Sequence, residues 1–293
     1  MSTSLVLLGY ASGLAANNSG CAEGPRKLKE HHIENKLSSQ GLNSHWQAML
    51  ALQADSTKDR LIQVAELNRQ LAEITHDLVE QDQPFLVIGG DHSSAIGTWS
   101  GVSATKLSTE NALGLIWIDA HMDSHTFDTT PSGNIHGMPL AALLGYGDVA
   151  LTEILTSKPK LKPEHLSLIG ARSFESEEAA LLRRLGVRIY EMPEIKRRGL
   201  IVVLQEAIAR AKKNTAGFGV SLDLDAIDPN DAPGVGVPEP DGIAGKDLCQ
   251  ALTLLRQEKQ LLGLEIVEYN PYLDEDNKTE QLIHKIVLSI FGE

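Results

Sequence analysis

The chain has few of the residues that mark disulfide-rich, nucleic-acid-binding or membrane-spanning proteins. Its two cysteines, Cys21 and Cys249, form neither a CxxC pair nor zinc-finger spacing, so no disulfide framework is expected. Lys and Arg number 26 against 39 acidic residues, a balance that argues against sequence-independent binding of nucleic acid. No apolar run approaches the ~20 residues of a membrane span, and no Lys or Arg before Arg26 supplies the charged start of a signal peptide. The sequence therefore predicts a cytoplasmic protein with no nucleic-acid or membrane partner.

Strand and helix patterns alternate along all 293 residues without a break in composition or an internal repeat. Apolar, β-rich runs occur at residues 5–8, 85–88, 115–118, 166–169, 187–190, 217–222 and 262–267. Helical patterns occur at residues 57–80, 176–185, 200–213, 245–257 and in the C-terminal segment. This alternation predicts one α/β domain over residues 1–293, a three-layer α-β-α arrangement around a mostly parallel sheet.

The stretch after the run at 115–118 carries three groups that can bind metal. Asp119, His121 and Asp123 occupy alternate positions, and alternate side chains of an extended segment point to the same side. With no Lys or Arg between them, these groups would repel and desolvate one another unless a cation lay among them. The segment is interpreted as half of a metal site.

A second cluster supplies the other half. Asp223 and Asp225 follow the run at 217–222 with the same i, i+2 spacing, and His92 follows the run at 85–88. The carboxyl ends of parallel strands meet at one edge of a sheet, where ligands bind. Six such ligands are too many for a structural zinc, but carboxylates with imidazoles suit Mn²⁺. The pattern predicts a two-metal site for hydrolysis and leaves the substrate open.

Three segments resemble the metal-binding signatures of the ureohydrolase family, which includes arginase, agmatinase, formimidoylglutamase and guanidinobutyrase. They are GGDHS at 89–93, DAHMD at 119–123 and SLDLD at 221–225. The resemblance extends from residue 5 through the final helix. It implies the arginase-like α/β fold with a binuclear metal site at the carboxyl ends of the strands, two Mn²⁺ per subunit, and a homo-trimer or homo-hexamer.

The resemblance also assigns roles to residues. One Mn²⁺ would be held by His92, Asp119, Asp123 and Asp223, and the other by Asp119, His121, Asp223 and Asp225. A metal-bridging hydroxide would attack the guanidinium carbon, and His136 matches the family's proton-shuttling histidine. Glu268 matches the carboxylate that pairs with the guanidinium, for which a planar two-oxygen acceptor is suited. His136, Glu268 and Asp123 are thus the predicted catalytic residues.

The residues around the far end of the substrate resemble those of arginase within the family. Thr130 and Ser132, in the run SGNIHG, match the loop that receives the α-carboxylate. His125 stands where arginases often carry Asn, and Glu175 stands where they often carry an Asp that meets the α-amino group. Glu178 fits the next acidic position. The predicted substrate-binding residues are His125, Thr130, Ser132, Glu175, Glu178 and Glu268.

These features predict a manganese-dependent amidinohydrolase that converts L-arginine to urea and L-ornithine. An agmatinase, or an enzyme for another guanidino compound such as a guanidinobutyrase or formimidoylglutamase, is the alternative, because Glu175 reaches one methylene further than Asp. A non-catalytic member that keeps the fold is a remote alternative. Degenerate ligands would favour it, whereas all six metal ligands, His136 and Glu268 are present.

Overall fold

The computed structural model describes residues 4–52, 57–105 and 112–292. Their strands form one eight-stranded sheet in the order β2-β1-β3-β8-β7-β4-β5-β6, and every neighbouring pair is parallel. The strands are β1 (Leu5–Tyr10), β2 (Ser44–Leu50), β3 (Phe85–Gly89), β4 (Ala112–Ile118), β5 (Leu161–Ile169), β6 (Arg188–Tyr190), β7 (Thr215–Asp223) and β8 (Leu261–Val267).

The helices cover both faces of this sheet. They are α1 (Gly24–Glu30), α2 (Ile33–Ser38), α3 (Arg60–Glu80), α4 (Ser94–Ser103), α5 (Pro139–Leu143), α6 (Val149–Thr152), α7 (Ser176–Leu185), α8 (Met192–Arg198), α9 (Leu200–Lys212), α10 (Gly245–Leu252) and α11 (Lys278–Phe291). One buried apolar cluster joins the sheet to α1, α2 and α8–α11, and another joins it to α3, α4, α5 and α7. The predicted three-layer α-β-α fold with a parallel sheet is confirmed. Among the described residues, no helix has both the length and the apolar character needed to cross a membrane.

β3 and β4, two of the central strands, are apolar along their whole length because helices bury them on both sides. All residues of β3 are buried, as are all those of β4 after Ala112. The sequence patterns predict seven of the eight strands, and β2 is the one they miss. It lies at the edge beside β1 and alternates half-buried with exposed positions at its start, so it has no continuous apolar run.

Four adjacent strands position the candidate site. In the sheet order, β3, β8, β7 and β4 lie side by side. Their carboxyl ends lead into His92, Glu268, Asp223 and Asp119, respectively. At the end of β3, the backbone of Gly90 passes so close to the N-terminal loop that a Cβ atom would lie 1.9 Å from the carbonyl oxygen of Ser12. Glycine is required at this approach, since any side chain would displace the segment that carries His92.

Candidate metal centre

The first ligand group surrounds one ring nitrogen of His92. Its Nδ1 atom lies 3.0 Å from an Asp123 oxygen, 3.2 Å from an Asp119 oxygen and 3.2 Å from an Asp223 oxygen. Yet this buried nitrogen forms no hydrogen bond with any residue that the structure describes. A buried nitrogen that faces three carboxylates without a hydrogen bond suits a cation placed among the four groups.

The orientation of His92 is set from the opposite side of the ring. Its Nε2–H donates to Ser221 Oγ over 3.0 Å, and this hydroxyl donates to Glu265 Oε2 over 2.8 Å. The ring also stacks on Trp117, with 4.1 Å between the centroids. Because the chain of hydrogen bonds places a proton on Nε2, Nδ1 is the nitrogen available to a cation among the carboxylates. Outer partners of this kind are typical of histidines that bind metal.

The second ligand group surrounds His121. Its Nδ1 atom lies 3.1 Å from an Asp225 oxygen and 3.5 Å from Asp119 Oδ1. The other oxygen of Asp119, Oδ2, faces His92 and accepts a hydrogen bond from Trp117 Nε1 over 2.9 Å. Asp119 therefore contributes one oxygen to each group, which is the arrangement of a carboxylate that bridges two cations.

The two ligand groups contain four carboxylates and two imidazoles, and in the absence of cations their negative charge is offset by bound protons. Burial raises the pKa of Asp225 to about 6, and burial with the negative charges of Asp225 and Asp119 raises the pKa of Asp223. Burial would lower the pKa of His121, but Asp225 and Asp119 raise it. The groups thus retain protons where cations would otherwise compensate their charge. The donor set, rich in oxygen with one imidazole in each group, fits two divalent cations such as Mn²⁺.

Two acidic residues of the site have a backbone conformation in the left-handed region. Asp123 has φ 45° and Glu268 has φ 66°, values that residues with a Cβ rarely adopt. Hydrogen bonds hold both positions: the Asp123 carbonyl accepts from the N–H of Leu140 over 2.9 Å, and the N–H of Glu268 donates to the Gly90 carbonyl over 2.8 Å. Such strain persists where the surrounding structure fixes a functional conformation.

Glu268 and His136 form a pair beside the ligand groups. His136 Nδ1 lies 3.2 Å from Glu268 Oε1, which also accepts from the backbone N–H of His92 over 3.0 Å. Burial would lower the pKa of His136, but the Glu268 carboxylate raises it to about 9. The imidazole of the metal-free protein therefore carries a proton at neutral pH.

The ligand groups open on a cavity of about 250 Å³, and five of the six predicted substrate-binding residues, all but Thr130, are among its described lining residues. His125 Nε2 lies 3.1 Å from Glu175 Oε2 and 3.5 Å from Glu178 Oε2. Burial raises the pKa of Glu178 to about 8, whereas a hydrogen bond from His125 lowers that of Glu175. The described lining is acidic and contains neither Lys nor Arg, which suits a cationic ligand. It consists of His121, Asp123, His125, Pro131, Ser132, His136, Gly137, Glu175, Glu178, Asp223, Asp225, Val237 and Glu268.

Thr130 and Ser132 lie on one loop, and of the two only Ser132 is among the described residues that line the cavity. The Ser132 Oγ accepts from the N–H of Asn134 over 3.2 Å. Thr130 Oγ1 accepts from the N–H groups of Ser132 and Gly133, over 3.3 and 3.0 Å. The Thr130 hydroxyl thus holds the turn that presents Ser132.

Glu265 supports the site and was missed by the sequence patterns. Glu265 lies in the middle of β8 and is fully buried. Its carboxylate accepts from four side chains, those of Ser94, Thr98, Trp99 and Ser221. A single carboxylate inside an apolar run is buried with the run and therefore needs hydrogen-bond partners. The Glu within the apolar residues of 261–267 could have identified Glu265 in this way.

Comparisons with known proteins agree with this geometry. The model of the Arginase family matches residues 3–292. An arginase of Bacillus caldovelox is 46% identical over 82% of this chain and 79% of its own length, and one of Brevibacillus brevis is 39% identical over 100% and 99%. The crystal structure of arginase from Bacillus subtilis superposes with a TM-score of 0.91 at 36% identity, covering 99% of each chain.

The predicted likeness to the ureohydrolases is therefore confirmed, and with it the prediction of a hydrolase that acts on C–N bonds of linear amidines. The two His/Asp groups that share Asp119 are able to bind metal, as the family's binuclear centre requires. The chain belongs to the arginase family.

Proposed function

We propose that the protein hydrolyses the guanidino group of L-arginine to urea and L-ornithine and depends on two Mn²⁺ per subunit. The observation that carries this proposal is the placement of the two ligand groups, joined by Asp119, at one end of an acidic cavity. Relatives named arginase, 46% and 39% identical to this chain, support the choice of substrate.

The six predicted ligands would hold the two ions, namely His92, Asp119, His121, Asp123, Asp223 and Asp225. When bound, such ions act as Lewis acids that make water a nucleophile near neutral pH. Ser221 and Trp117 orient the ligands, so that the ring of His92 and the carboxylate of Asp119 are set before metal binds.

Glu268 would bind the guanidinium. Its carboxylate is buried and fixed by the N–H of His92, so it can accept hydrogen bonds from a planar cation in a defined orientation. In the free protein this carboxylate is paired with His136. A substrate guanidinium would take the place of the imidazolium beside Glu268.

His136 would supply the proton that the departing amine needs. An amine is a poor leaving group unless it is protonated, so a positioned acid accelerates the step. The raised pKa of His136, about 9, keeps a proton on this ring at neutral pH. When the substrate takes the place of His136 beside Glu268, the carboxylate would no longer raise the pKa of the ring, and the proton would be transferred more readily.

The part of the cavity lined by Ser132, Glu175 and Glu178 would bind the α-amino and α-carboxylate groups of the substrate. The Ser132 hydroxyl lies at the rim and can donate to an α-carboxylate, while Glu175 and Glu178 can accept from an α-ammonium group. His125, paired with both glutamates, distinguishes this part of the cavity from the usual arginase pattern. Agmatine, which lacks the carboxylate, would lose the contact with Ser132.

The test is urea release by Mn²⁺-loaded protein with L-arginine and agmatine compared as kcat/KM. We expect a strong preference for L-arginine and no urea from protein dialysed against a chelator. A preference for agmatine would show that His125 and Glu175 have rebuilt the far end of the cavity. Tight metal binding without turnover of any guanidino compound would contradict the proposed activity and favour a non-catalytic member.

We also propose that residues 1–293 act as one domain in a cytoplasmic homo-trimer or homo-hexamer. The family match over residues 3–292 and the single sheet are consistent with one domain. Light scattering after size exclusion would give the number of subunits, and one cooperative unfolding transition is expected for a single domain.

A further inference from the structure

His121 is the less enclosed of the two predicted histidine ligands. Its side chain is 24% exposed, whereas that of His92 is 1% exposed. His92 has Ser221 as the partner of its outer nitrogen. The corresponding nitrogen of His121, Nε2, faces a carboxylate that the sequence patterns did not single out: it lies 3.7 Å from Glu239 Oε1.

The Glu239 side chain is held in this position by Ser173. The Ser173 hydroxyl donates to Glu239 Oε1 over 3.0 Å. This oxygen is the same one that faces His121, and the Glu239 side chain is 26% exposed. The carboxylate is therefore directed at the imidazole and does not extend freely into solvent.

Arg172 fixes the backbone of Glu239 relative to a predicted metal ligand. Its Nη2 atom donates to the carbonyl oxygens of Glu239 and Asp225, over 2.7 Å in both cases. Its Nε atom donates to the Pro240 carbonyl over 2.9 Å, and its Nη1 atom donates to the Ala226 carbonyl over 3.2 Å. One guanidinium thus joins the turn that carries Asp225 to the loop that carries Glu239, and the two cannot shift independently.

A histidine that binds a cation through Nδ1 must carry its hydrogen on Nε2. An acceptor beside Nε2 fixes this tautomer, holds the ring in place and makes Nδ1 more basic. The observed separation exceeds the upper end of an N–H···O hydrogen bond, ~3.2 Å, by about 0.5 Å. At such a distance a carboxylate still orients the imidazole through its charge.

We propose that Glu239, held by Ser173, is a positioning residue for His121 and strengthens the binding of the divalent cation held by His121, Asp119 and Asp225. The role rests on the two-metal site of the proposed function. It adds to that site a carboxylate from the loop after β7. This carboxylate would act on the cation only by way of the His121 ring.

The test is Mn²⁺ binding at equilibrium, measured without substrate, for wild-type protein, Glu239→Ala and Asp241→Ala. Asp241 is the matched control: it lies on the same loop, is largely exposed and pairs with Lys196 over 3.2 Å. We expect Glu239→Ala to raise the Kd of one of the two sites by about 10-fold or more and to leave the other unchanged. Asp241→Ala should match the wild type at both sites.

Glu239→Gln separates the hydrogen bond from the charge, and it covers the case in which the alanine variant folds poorly. An amide oxygen still accepts from Nε2, so we expect an intermediate Kd. Two-site binding curves that coincide for Glu239→Ala and wild type would overturn the proposal, as would an equal loss at both sites. Since no substrate is present, a protein that binds two Mn²⁺ but releases no urea would contradict only the proposed activity.

Discussion

His136 and Glu268 are paired in the lining of the cavity beside the metal centre, with 3.2 Å between His136 Nδ1 and Glu268 Oε1. The same oxygen accepts from the backbone N–H of His92, over 3.0 Å. Glu268 thus connects the predicted proton donor to the loop that carries a predicted metal ligand. Its own position depends on a left-handed backbone, with φ 66°.

The first prediction concerns the pH dependence of the His136–Glu268 pair in metal-free protein. The carboxylate raises the pKa of His136 from 6.5 to about 9. Stabilisation by the pair is therefore fully present below pH ~6.5 and is lost as the pH rises through about 9. We expect His136→Gln to lower the free energy of unfolding more at pH 6 than at pH 10, by at most about 3 kcal/mol. Denaturant unfolding at both pH values measures this difference, and an equal loss at both would contradict the pairing.

The second prediction concerns the hydroxyl that orients His92. Ser221→Ala removes the acceptor of His92 Nε2–H, so we expect Mn²⁺ affinity to fall by about 10-fold. Ser94→Ala is the control, because Ser94 also donates to Glu265 from a buried position. Both variants should lose about 1–3 kcal/mol of stability, since the buried Glu265 loses a donor. A chelator-competition assay compares them, and equal Mn²⁺ affinities for the two variants would refute an orienting role for Ser221.

The third prediction is that Mn²⁺ binding releases protons. Burial raises the pKa of Asp225 to about 6, and that of Asp223 is raised as well. A bound cation requires the ionised carboxylates, so affinity should increase with pH. Calorimetry in buffers of different ionisation enthalpy would count the protons released. We expect more protons at pH 6 than at pH 8, and the same heat in every buffer would contradict the raised pKa values.

The fourth prediction concerns recognition of the α-carboxylate. Ser132→Ala removes the hydroxyl at the cavity rim, and we expect KM for L-arginine to rise about 10-fold, the cost of roughly one hydrogen bond to a charged group. The kinetics with agmatine are the internal control and should not change. A rise in KM for both substrates would mean that the variant only loosens the turn, in which Ser132 Oγ accepts from the N–H of Asn134.

Much of the metal centre could be predicted because its signals are local. Asp119, His121 and Asp123 alternate directly after an apolar run, and the structure places them in the segment that follows β4. The extended backbone that the alternation predicted ends at Ile118, because residues 120 and 121 form a bend and Asp123 has φ 45°. The continuous apolar runs likewise predicted strands buried on both faces, and therefore a parallel sheet between two layers of helices.

The tertiary structure decided which of these local features meet. The sheet order places β8 and β7 between β3 and β4. Only this order brings His92 together with Asp119 and Asp223, and Glu268 to the backbone N–H of His92. It also pairs Glu265 with Ser221, and Glu239 with His121, across 44 and 118 positions of sequence, respectively. A local pattern carries no information about such pairs, because helical crossovers can place a strand beside any other. The sequence by itself thus determined which residues face the edge of the sheet, and packing of the whole chain determined which partners orient them.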